Sequence, residues 1–527
     1  ANIMKLRTIV KIAITSSVVL LCSGFALYSF FRLSAAEGQK DFNLYELVPS
    51  TTSAVFVTDD VLEFVAEVDE LTCSKNQQYL YVSKLFSYLK QSLYALSEDT
   101  PHGLSRQMNQ MLISFHEPDN ERNQVLYCRL GNGDKELVNR FVRKYISSLY
   151  PPKTFIYKGE EIIIYPMADG DFLACYLTSD FMALSFQKKL IENVIDAYKS
   201  GKSLADDSTF TGIRAPKKSA AAATIYTRMQ GMMGWTEFDM KMKDDFIYFS
   251  GITHDADTCF AFINQLRQQQ SVKGFPGEVL PSTAFYFSRQ GITDWVSLLS
   301  YGNAQGQSVP ARTSEVQNRD KEFSRYLMEN AGQDLVACLF QREDTLQGAA
   351  AVLSLSVADV TEAERMLRAL VNAASADEGR RNPRITFCYT VNKAYPIYRL
   401  PQTTLFEQLT SFAEPTLDVY AAFYGGRLLL APDADALAHY IRQLDKGEVL
   451  NGAMVYQTGM DHLSDSYHFM LMADFDHIFQ QSENHVRFVP DFFLRNADFF
   501  RHFTLFVQFA CADGVVYPNI VLKYKSE

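Results

Sequence analysis

Two hydrophobic patterns alternate along this chain. One has apolar residues at i, i+3, i+4 and i+7, which marks a helix with a single buried face, as at Ile191, Val194, Ile195 and Tyr198. The other is a short run of apolar or alternating residues, which marks a strand, as at residues 124–130. Strand-like runs outnumber helical ones and most connections are short. The pattern predicts an α+β fold with helices packed on one face of an antiparallel sheet.

The same order of patterns occurs twice. Residues 46–51, Glu-Leu-Val-Pro-Ser-Thr, recur as Glu-Val-Leu-Pro-Ser-Thr at residues 278–283, an offset of 281 − 49 = 232, which the pair Thr-Phe at 154–155 and 386–387 shares. The helix before Gly201 recurs before Gly447, where the offset is 447 − 201 = 246. A solenoid repeat would be only about 20–50 residues long. We therefore expect two homologous tandem domains, residues 43–270 and 271–527.

An uncharged apolar segment, residues 12–31, precedes both domains. Twenty residues of helix rise about 30 Å, the thickness of the hydrocarbon core of a bilayer. Lys5, Arg7 and Lys11 come before it, and positive flanks stay in the cytoplasm. The sequence predicts a cytoplasmic basic tail (1–11), one transmembrane helix (12–31) and a short tether (32–42). The chain would then be a single-pass membrane protein, with its bulk across the membrane from the cytoplasm.

Two other interpretations of this segment stay open. A cleaved signal peptide would use the small residues Ser34, Ala35 and Ala36, although its apolar core is normally about 7–15 residues long. A lipoprotein signal would use Cys22, but Leu21 stands where a small residue is expected. The length of the apolar run favours the uncleaved anchor.

Composition narrows the class of protein. Of the 527 residues, 47% are hydrophobic and 21% are charged, which is typical of packed globular domains. The net charge of −11 argues against a nucleic-acid partner, because such a partner requires a basic face. Seven cysteines lie outside the apolar segment without any Cys-x-x-Cys pair, so we expect mostly buried free thiols. A disulfide in an oxidising compartment stays open.

A resemblance rests on three features of the chain: the segment Leu-Val-Pro-Ser-Thr-Thr-Ser-Ala-Val-Phe-Val (residues 47–57), the similar segment in the second copy, and the N-terminal apolar segment. Together they resemble one protein family. It comprises uncharacterised Bacteroidetes-type envelope proteins that have an anchor and a duplicated domain of unknown function. The resemblance implies an envelope location, so with the anchor the chain is expected in a bacterial inner membrane as a single-pass protein with its bulk in the periplasm. The resemblance carries no catalytic residues.

No sequence motif for catalysis, metal binding or nucleotide binding is present. The chain lacks His-Glu-x-x-His, a phosphate-binding loop and Gly-x-Ser-x-Gly. One polar cluster has the residue types of a divalent-metal site, but its spacing matches none: Asp461, His462, Asp465, His468, Asp474, Asp476, His477 and His485. We assign no catalytic residue, metal ligand or cofactor.

The two copies differ by insertions in the second. The growth of the offset from 232 to 246 places 14 more residues near 402–415, and a later gain falls near 475–500. Both are rich in apolar residues, which either pack onto their own domain or form a binding patch. The candidate surface for a partner or ligand is Leu405, Phe406, Leu409, Phe412, Phe479, Phe488, Phe492 and Phe493. Because the first copy lacks residues 402–415, deleting them should leave the fold intact. A methionine-rich stretch at 229–242 is a second candidate patch, with core filling as its alternative.

These observations favour a non-catalytic, membrane-anchored envelope protein. It would act as a scaffold, a chaperone-like factor or an assembly module, bound to the membrane by its helix and to an envelope protein partner. A carrier of a lipid or hydrophobic ligand is the alternative. An envelope hydrolase with a dispersed site is less favoured.

Overall fold

The computed structural model describes residues 42–78, 110–117, 122–131, 135, 150–166, 172–214, 221–228, 234–253, 261–299, 313–342, 348–377, 385–391, 393–410, 416–481, 489 and 491–525. The chain divides into two compact units between residues 256 and 257. The repeat in the sequence predicts this boundary between residues 270 and 271.

Antiparallel strands dominate the first unit. Its described strands are β1 (Ala54–Thr58), β2 (Met111–Phe115), β3 (Gln124–Arg129), β4 (Lys153–Tyr157), β5 (Glu160–Pro166), β6 (Phe172–Leu177), β7 (Phe181–Ser185), β8 (Ala223–Thr227), β9 (Thr236–Lys243) and β10 (Phe246–Thr253). Their pairing gives the order β4-β5-β6-β7-β3-β2-β1-β8-β9-β10.

The second unit is built in the same way. Its described strands are β11 (Val272–Lys273), β12 (Ala284–Gly291), β13 (Ala331–Gln341), β14 (Ala349–Val357), β15 (Ile385–Tyr389), β16 (Ala394–Arg399), β17 (Tyr420–Tyr424), β18 (Arg427–Ala431), β19 (Ser466–Tyr467), β20 (Phe469–Asp474), β21 (Phe503–Ala512) and β22 (Val515–Tyr524). The order is β15-β16-β17-β18-β14-β13-β12-β20-β21-β22, and β11 pairs with β19 separately. Strand for strand, this is the order of the first unit.

Few helices accompany these strands. They are α1 (Val61–Glu70), α2 (Thr72–Lys75), α3 (Lys188–Ser200), α4 (Ser208–Ile213), α5 (Ala261–Gln268), α6 (Ser314–Asn330), α7 (Val360–Asp377), α8 (Leu405–Leu409), α9 (Ala434–Asp445), α10 (Met454–Met460), α11 (Phe475–Phe479), α12 (Asp491–Arg495) and α13 (Ala497–Phe500). Gly201 follows α3 with φ of 62°, a left-handed conformation that glycine adopts without strain. Gly447, with φ of 76°, has the same place after α9.

The repeated Pro-Ser-Thr segment has one structural role in both units. Pro49 forms an isolated bridge with Ser203, and Pro281 forms one with Val449. In each unit the next backbone N–H donates across: Leu204 N to Val48 O at 2.8 Å, and Leu450 N to Leu280 O at 2.9 Å. The segment therefore ties the start of the first sheet strand to the chain that leaves α3 or α9.

Helices cover both faces of the sheet in the first unit. Ile195 of α3 packs in the same core as Val55 of β1. The next residue of that strand, Phe56, points to the opposite face, and its ring meets Phe64 of α1 at 5.4 Å between centroids. Successive side chains of a strand alternate between faces, so α1 and α3 lie on opposite sides.

The second unit repeats this arrangement with other helices. Leu367 of α7 shares a core with Leu339 of β13. The adjacent Phe340 faces the other way and meets Tyr440 of α9 at 5.5 Å between ring centroids. Thus α9 covers the face equivalent to that of α3, and α7 covers the reverse face.

The predicted fold class is therefore wrong. In place of α+β domains with helices on one face, the described chain is mostly antiparallel sheet, with twenty strands in the large ladders and few helices. The signal was present in the sequence: β3 is apolar at four successive positions, residues 125–128, and all four are buried. A strand with one wet face would alternate, whereas unbroken apolar runs indicate two covered faces.

No helix within the described ranges is long and apolar enough to cross a membrane. The predicted anchor, residues 12–31, lies outside those ranges, as do the basic tail and most of the tether.

The matching Thr-Phe pairs of the sequence are not structurally equivalent. Phe155 pairs with Ile162, which faces α3. Phe387 pairs with Pro396 and lies on the reverse face, whereas its neighbour Cys388 is the residue that meets α9, through Sγ and Ala438 O at 3.6 Å. The true register differs by one residue, and a shift of one residue moves a side chain to the other face.

Candidate functional site

The candidate surface near residues 402–415 lies in the interior. Leu405, Phe406 and Leu409 are buried in the core of the second unit. Asp320 of α6 holds the start of α8: its carboxylate accepts hydrogen bonds from Thr403 Oγ1 and Thr404 Oγ1, both at 2.7 Å. These side chains pack onto their own unit, which is the alternative to a binding patch that the sequence left open. Phe412 lies outside the described residues.

The phenylalanines of residues 475–500 pack mainly against one another. The ring of Phe475 meets Phe479 at 5.3 Å and Phe493 at 5.0 Å between centroids. Phe493 in turn meets Phe500 at 4.8 Å, and both Phe479 and Phe493 pack against the core of the second unit. These rings therefore form part of the packing of the second unit. Phe488 and the side chain of Phe492 lie outside the described residues.

The methionine-rich stretch is described only in part. Met240 is fully buried and Trp235 beside it is part of the first core. Met229, Met232 and Met233 lie outside the described ranges.

The His and Asp cluster is dispersed. Asp474 forms ion pairs with His477 at 3.3 Å and with Lys525 at 2.6 Å. His468 is used elsewhere, because its Nδ1 accepts from Cys511 N at 3.1 Å. Burial would raise the pKa of Asp474, but His477 and Lys525 outweigh it and hold the pKa below its usual value. Within the described ranges, no group of three or more His, Cys, Asp or Glu could hold a metal ion.

A buried polar cluster that the sequence analysis missed lies in the first unit. Ser114 Oγ is 2.8 Å from His116 Nε2 and 3.0 Å from Tyr127 OH, and all three residues are buried. Burial lowers the pKa of His116 to about 4, so the imidazole is neutral near pH 7. A serine beside a neutral histidine is the pairing used by nucleophilic enzymes. Here the hydroxyl is fully inaccessible, so the cluster satisfies buried polar groups.

The second unit has no such cluster at the equivalent positions. Leu112 of β2 pairs with Val57 and Tyr127, as Val336 of β13 pairs with Arg289 and Ser354. Leu112 is therefore equivalent to Val336. Two residues later Ser114 corresponds to Cys338, and four residues later His116 corresponds to Phe340. The polar cluster therefore belongs to the first unit and is not a common feature of the fold.

The second unit has a different network on the same face. Asp334 accepts from Arg289 Nε at 3.0 Å and from Arg427 Nη1 at 3.2 Å. Arg427 Nε also donates to Ser354 Oγ at 2.6 Å. Burial would raise the pKa of Asp334, but Arg427, Ser356 and Arg289 together hold it below the usual value. These groups satisfy one another, so the network joins β12, β13, β14 and β18.

The described thiols are structural. Cys73, Cys128, Cys175, Cys338 and Cys388 are buried, Cys511 is half-buried, and none of these six described cysteines forms a disulfide. Burial raises the pKa of Cys175 to about 12, which makes its thiol a poor nucleophile at neutral pH.

Exposed apolar side chains collect on the outermost strand of each sheet order. On β4, Phe155 and Ile156 are 44% and 71% exposed. On and just after β15, Phe387, Tyr389 and Val391 are 54%, 72% and 96% exposed. Within the described ranges, β4 pairs with β5 alone and β15 with β16 alone. An exposed apolar edge strand accepts a further strand, so these two edges are the candidate interaction sites.

The chain was compared with models of protein families, with characterised proteins and with solved structures, and none of the three comparisons gives a match.

Proposed function

We propose that this chain is a non-catalytic, membrane-anchored interaction module of the bacterial envelope, facing the periplasm from the inner membrane. It would act as a scaffold, a chaperone-like factor or an assembly subunit. The observation that carries the proposal is the pair of exposed apolar edge strands, β4 and β15, one in each unit. The proposed membrane location is inferred from the apolar segment at residues 12–31 and the cations before it.

The polar clusters support a binding role over a hydrolytic one. Ser114, His116 and Tyr127 are enclosed, and the charged groups around Asp334 are consumed in pairing with each other. An edge strand, by contrast, offers backbone donors and acceptors together with apolar side chains, which is how sheets bind extended peptides. The partners are thus the membrane, through the N-terminal helix, and an envelope protein. No nucleic acid or cofactor is part of the proposal.

Alkaline carbonate extraction of membranes tests the proposed membrane anchor. The full-length chain should stay in the pellet, and release into the supernatant would contradict the anchor. Chemical crosslinking in membranes followed by purification of the intact chain tests the interaction role. The edge variants Ile156→Lys and Phe387→Lys should lose crosslinked species, because a charge is placed where an incoming strand would pack.

Met454→Lys is the matched control, since Met454 is 76% exposed but lies on helix α10 and not on an edge strand. It should keep the crosslinked species. Recovery of no species above background in any sample would count against the interaction role. Equal recovery from the edge variants and the control would remove the edges from it.

A further inference from the structure

The backbone of β15 presents at the sheet edge the hydrogen-bonding groups that pair with no strand in the described ranges. Phe387 is opposite Pro396 of β16. Proline has no backbone N–H, so Phe387 and Pro396 form a non-hydrogen-bonded pair of the ladder. Bonded and non-bonded pairs alternate along an antiparallel ladder. The N–H and C=O groups of Ile385, Phe387 and Tyr389 therefore point away from β16.

The side chains of this edge form an uncharged apolar row. Ile385, Phe387 and Tyr389 alternate along the strand and share one face, and the rings of Phe387 and Tyr389 are 6.3 Å apart. The chain from residue 385 to residue 391, Ile-Thr-Phe-Cys-Tyr-Thr-Val, contains no charge. Edge strands normally carry charges that block pairing, and this one does not.

The equivalent edge of the first unit is guarded. Ile156 precedes Tyr157, whose hydroxyl donates to Asp196 of α3, just as Phe387 precedes Cys388, whose thiol meets α9. Lys158 directly follows β4, where the equivalent residue of the second unit is Tyr389, and the ammonium of Lys188 lies 5.5 Å from the centre of the Phe155 ring. Pairing of β4 with β4 of a second copy would bring the cations of both copies to one edge, so this edge disfavours pairing with itself and is left to a different partner.

We propose that β15 pairs with β15 of a second copy of this chain, antiparallel, about a two-fold axis at Phe387. In this register Phe387 lies opposite Phe387 of the second copy, and Ile385 lies opposite Tyr389. These are aromatic–aromatic and aromatic–branched pairs, the favourable kinds across strands. No like charges meet, and the outward groups of residues 385, 387 and 389 all find partners. The inference rests on the proposed interaction role and names the partner at one of its edges.

Disulfide trapping of the full-length chain in lipid nanodiscs tests the pairing. Two residues opposite each other in a bonded antiparallel pair have Cα atoms about 5.5 Å apart, which a disulfide can span. Phe387→Cys should therefore form a covalent dimer on mild oxidation. Ile156→Cys is the matched control, because it is more exposed but lies on the guarded edge, and it should give several-fold less dimer. The unsubstituted chain sets the background from native thiols.

A second measurement does not depend on added thiols. Sedimentation of the solubilised chain should show a dimer that Phe387→Lys abolishes and Ile156→Lys retains, because only the first places two cations opposite each other. Circular dichroism should show both variants folded, since both positions are exposed. Equal trapping at the two cysteines, or a dimer that survives Phe387→Lys, overturns the pairing. If crosslinking in membranes still recovers other proteins in that case, the interaction role stands and only the identity of the partner at β15 is wrong.

Discussion

Acid should destabilise the first unit through one side chain, His116. Its folded-state pKa is about 4, below the ordinary value of 6.5 in the unfolded chain. The unfolded state therefore binds the proton first as the pH falls, so the stability present above pH 6.5 is lost between pH 6.5 and pH 4. The difference in pKa, 6.5 − 4 = 2.5, corresponds to about 3 kcal/mol when the loss is complete. At pH 5 the loss is about 2 kcal/mol.

The tryptophans make each unit separately visible. The chain has two, and Trp235 is buried in the first unit whereas Trp295 is buried in the second. In a Trp295→Phe background, fluorescence during urea unfolding gives the free energy of unfolding of the first unit. It should fall by about 2 kcal/mol more between pH 7.5 and pH 5 in this background than in the same background with His116→Phe. Phenylalanine is the chosen replacement because Phe340 occupies the equivalent position in the second unit.

The comparison cancels every other titrating group, because both proteins share them. In a Trp235→Phe background, Trp295 should report the same pH dependence with and without His116→Phe. If the free energy of unfolding of the first unit falls equally with pH whether or not the chain carries His116→Phe, then His116 does not titrate as a buried neutral group. Burial would then not control the protonation of His116, which would refute the prediction.

Three further predictions concern packing and charge. Phe406→Ala should lower the free energy of unfolding of the second unit, measured in urea, by about 3–5 kcal/mol, because it leaves a cavity at a core position. An unchanged midpoint of urea unfolding would indicate that residues 402–415 lie on the surface. Asp334→Asn should lower the free energy of unfolding of the second unit by about 3–5 kcal/mol, because Arg289 and Arg427 lose their counter-charge. Arg399→Gln removes an exposed ion pair with Asp418 and should lower it by less than about 1 kcal/mol. Equal losses from the two variants would contradict this prediction. Ile195→Asp should make the first unit protease-sensitive and leave the second resistant, since it buries an unpaired charge; sensitivity of both units would show that they unfold together.

The deletion of residues 402–415 shows how an inference from the repeat can fail. The first copy lacks these residues, which suggests that the second can lose them too. In the structure, Leu405 and Phe406 are core residues and Asp320 bonds to Thr403 and Thr404. The deletion would leave a buried carboxylate without its donors, so we now expect it to destabilise the second unit.

The edge strands show a second limit of the sequence. The Thr-Phe pairs at 154–155 and 386–387 look equivalent, yet the ladders place them one residue out of register. Short apolar runs specify a strand but not which neighbour it has. The exposure of Phe387 follows from its position at the end of a ten-strand order. The strands from β15 to β18 join the rest of that order through the pairing of β18 with β14, in which Leu353 is opposite Leu430, 430 − 353 = 77 residues later in the chain.

By itself, the sequence determined the local elements and their recurrence. Helix α3 buries the predicted face at Ile191, Val194 and Ile195, Gly201 and Gly447 follow their helices in left-handed conformations, and the two Pro-Ser-Thr segments make matching bridges. These features depend on residues close together in the chain, so periodicity and glycine positions reveal them. Only the tertiary structure decided that both sheet faces are covered, that the apolar insertions are interior, and that Ser114, His116 and Tyr127 meet. Burial and hydrogen bonding depend on which distant segments come together, and a local pattern does not encode that choice.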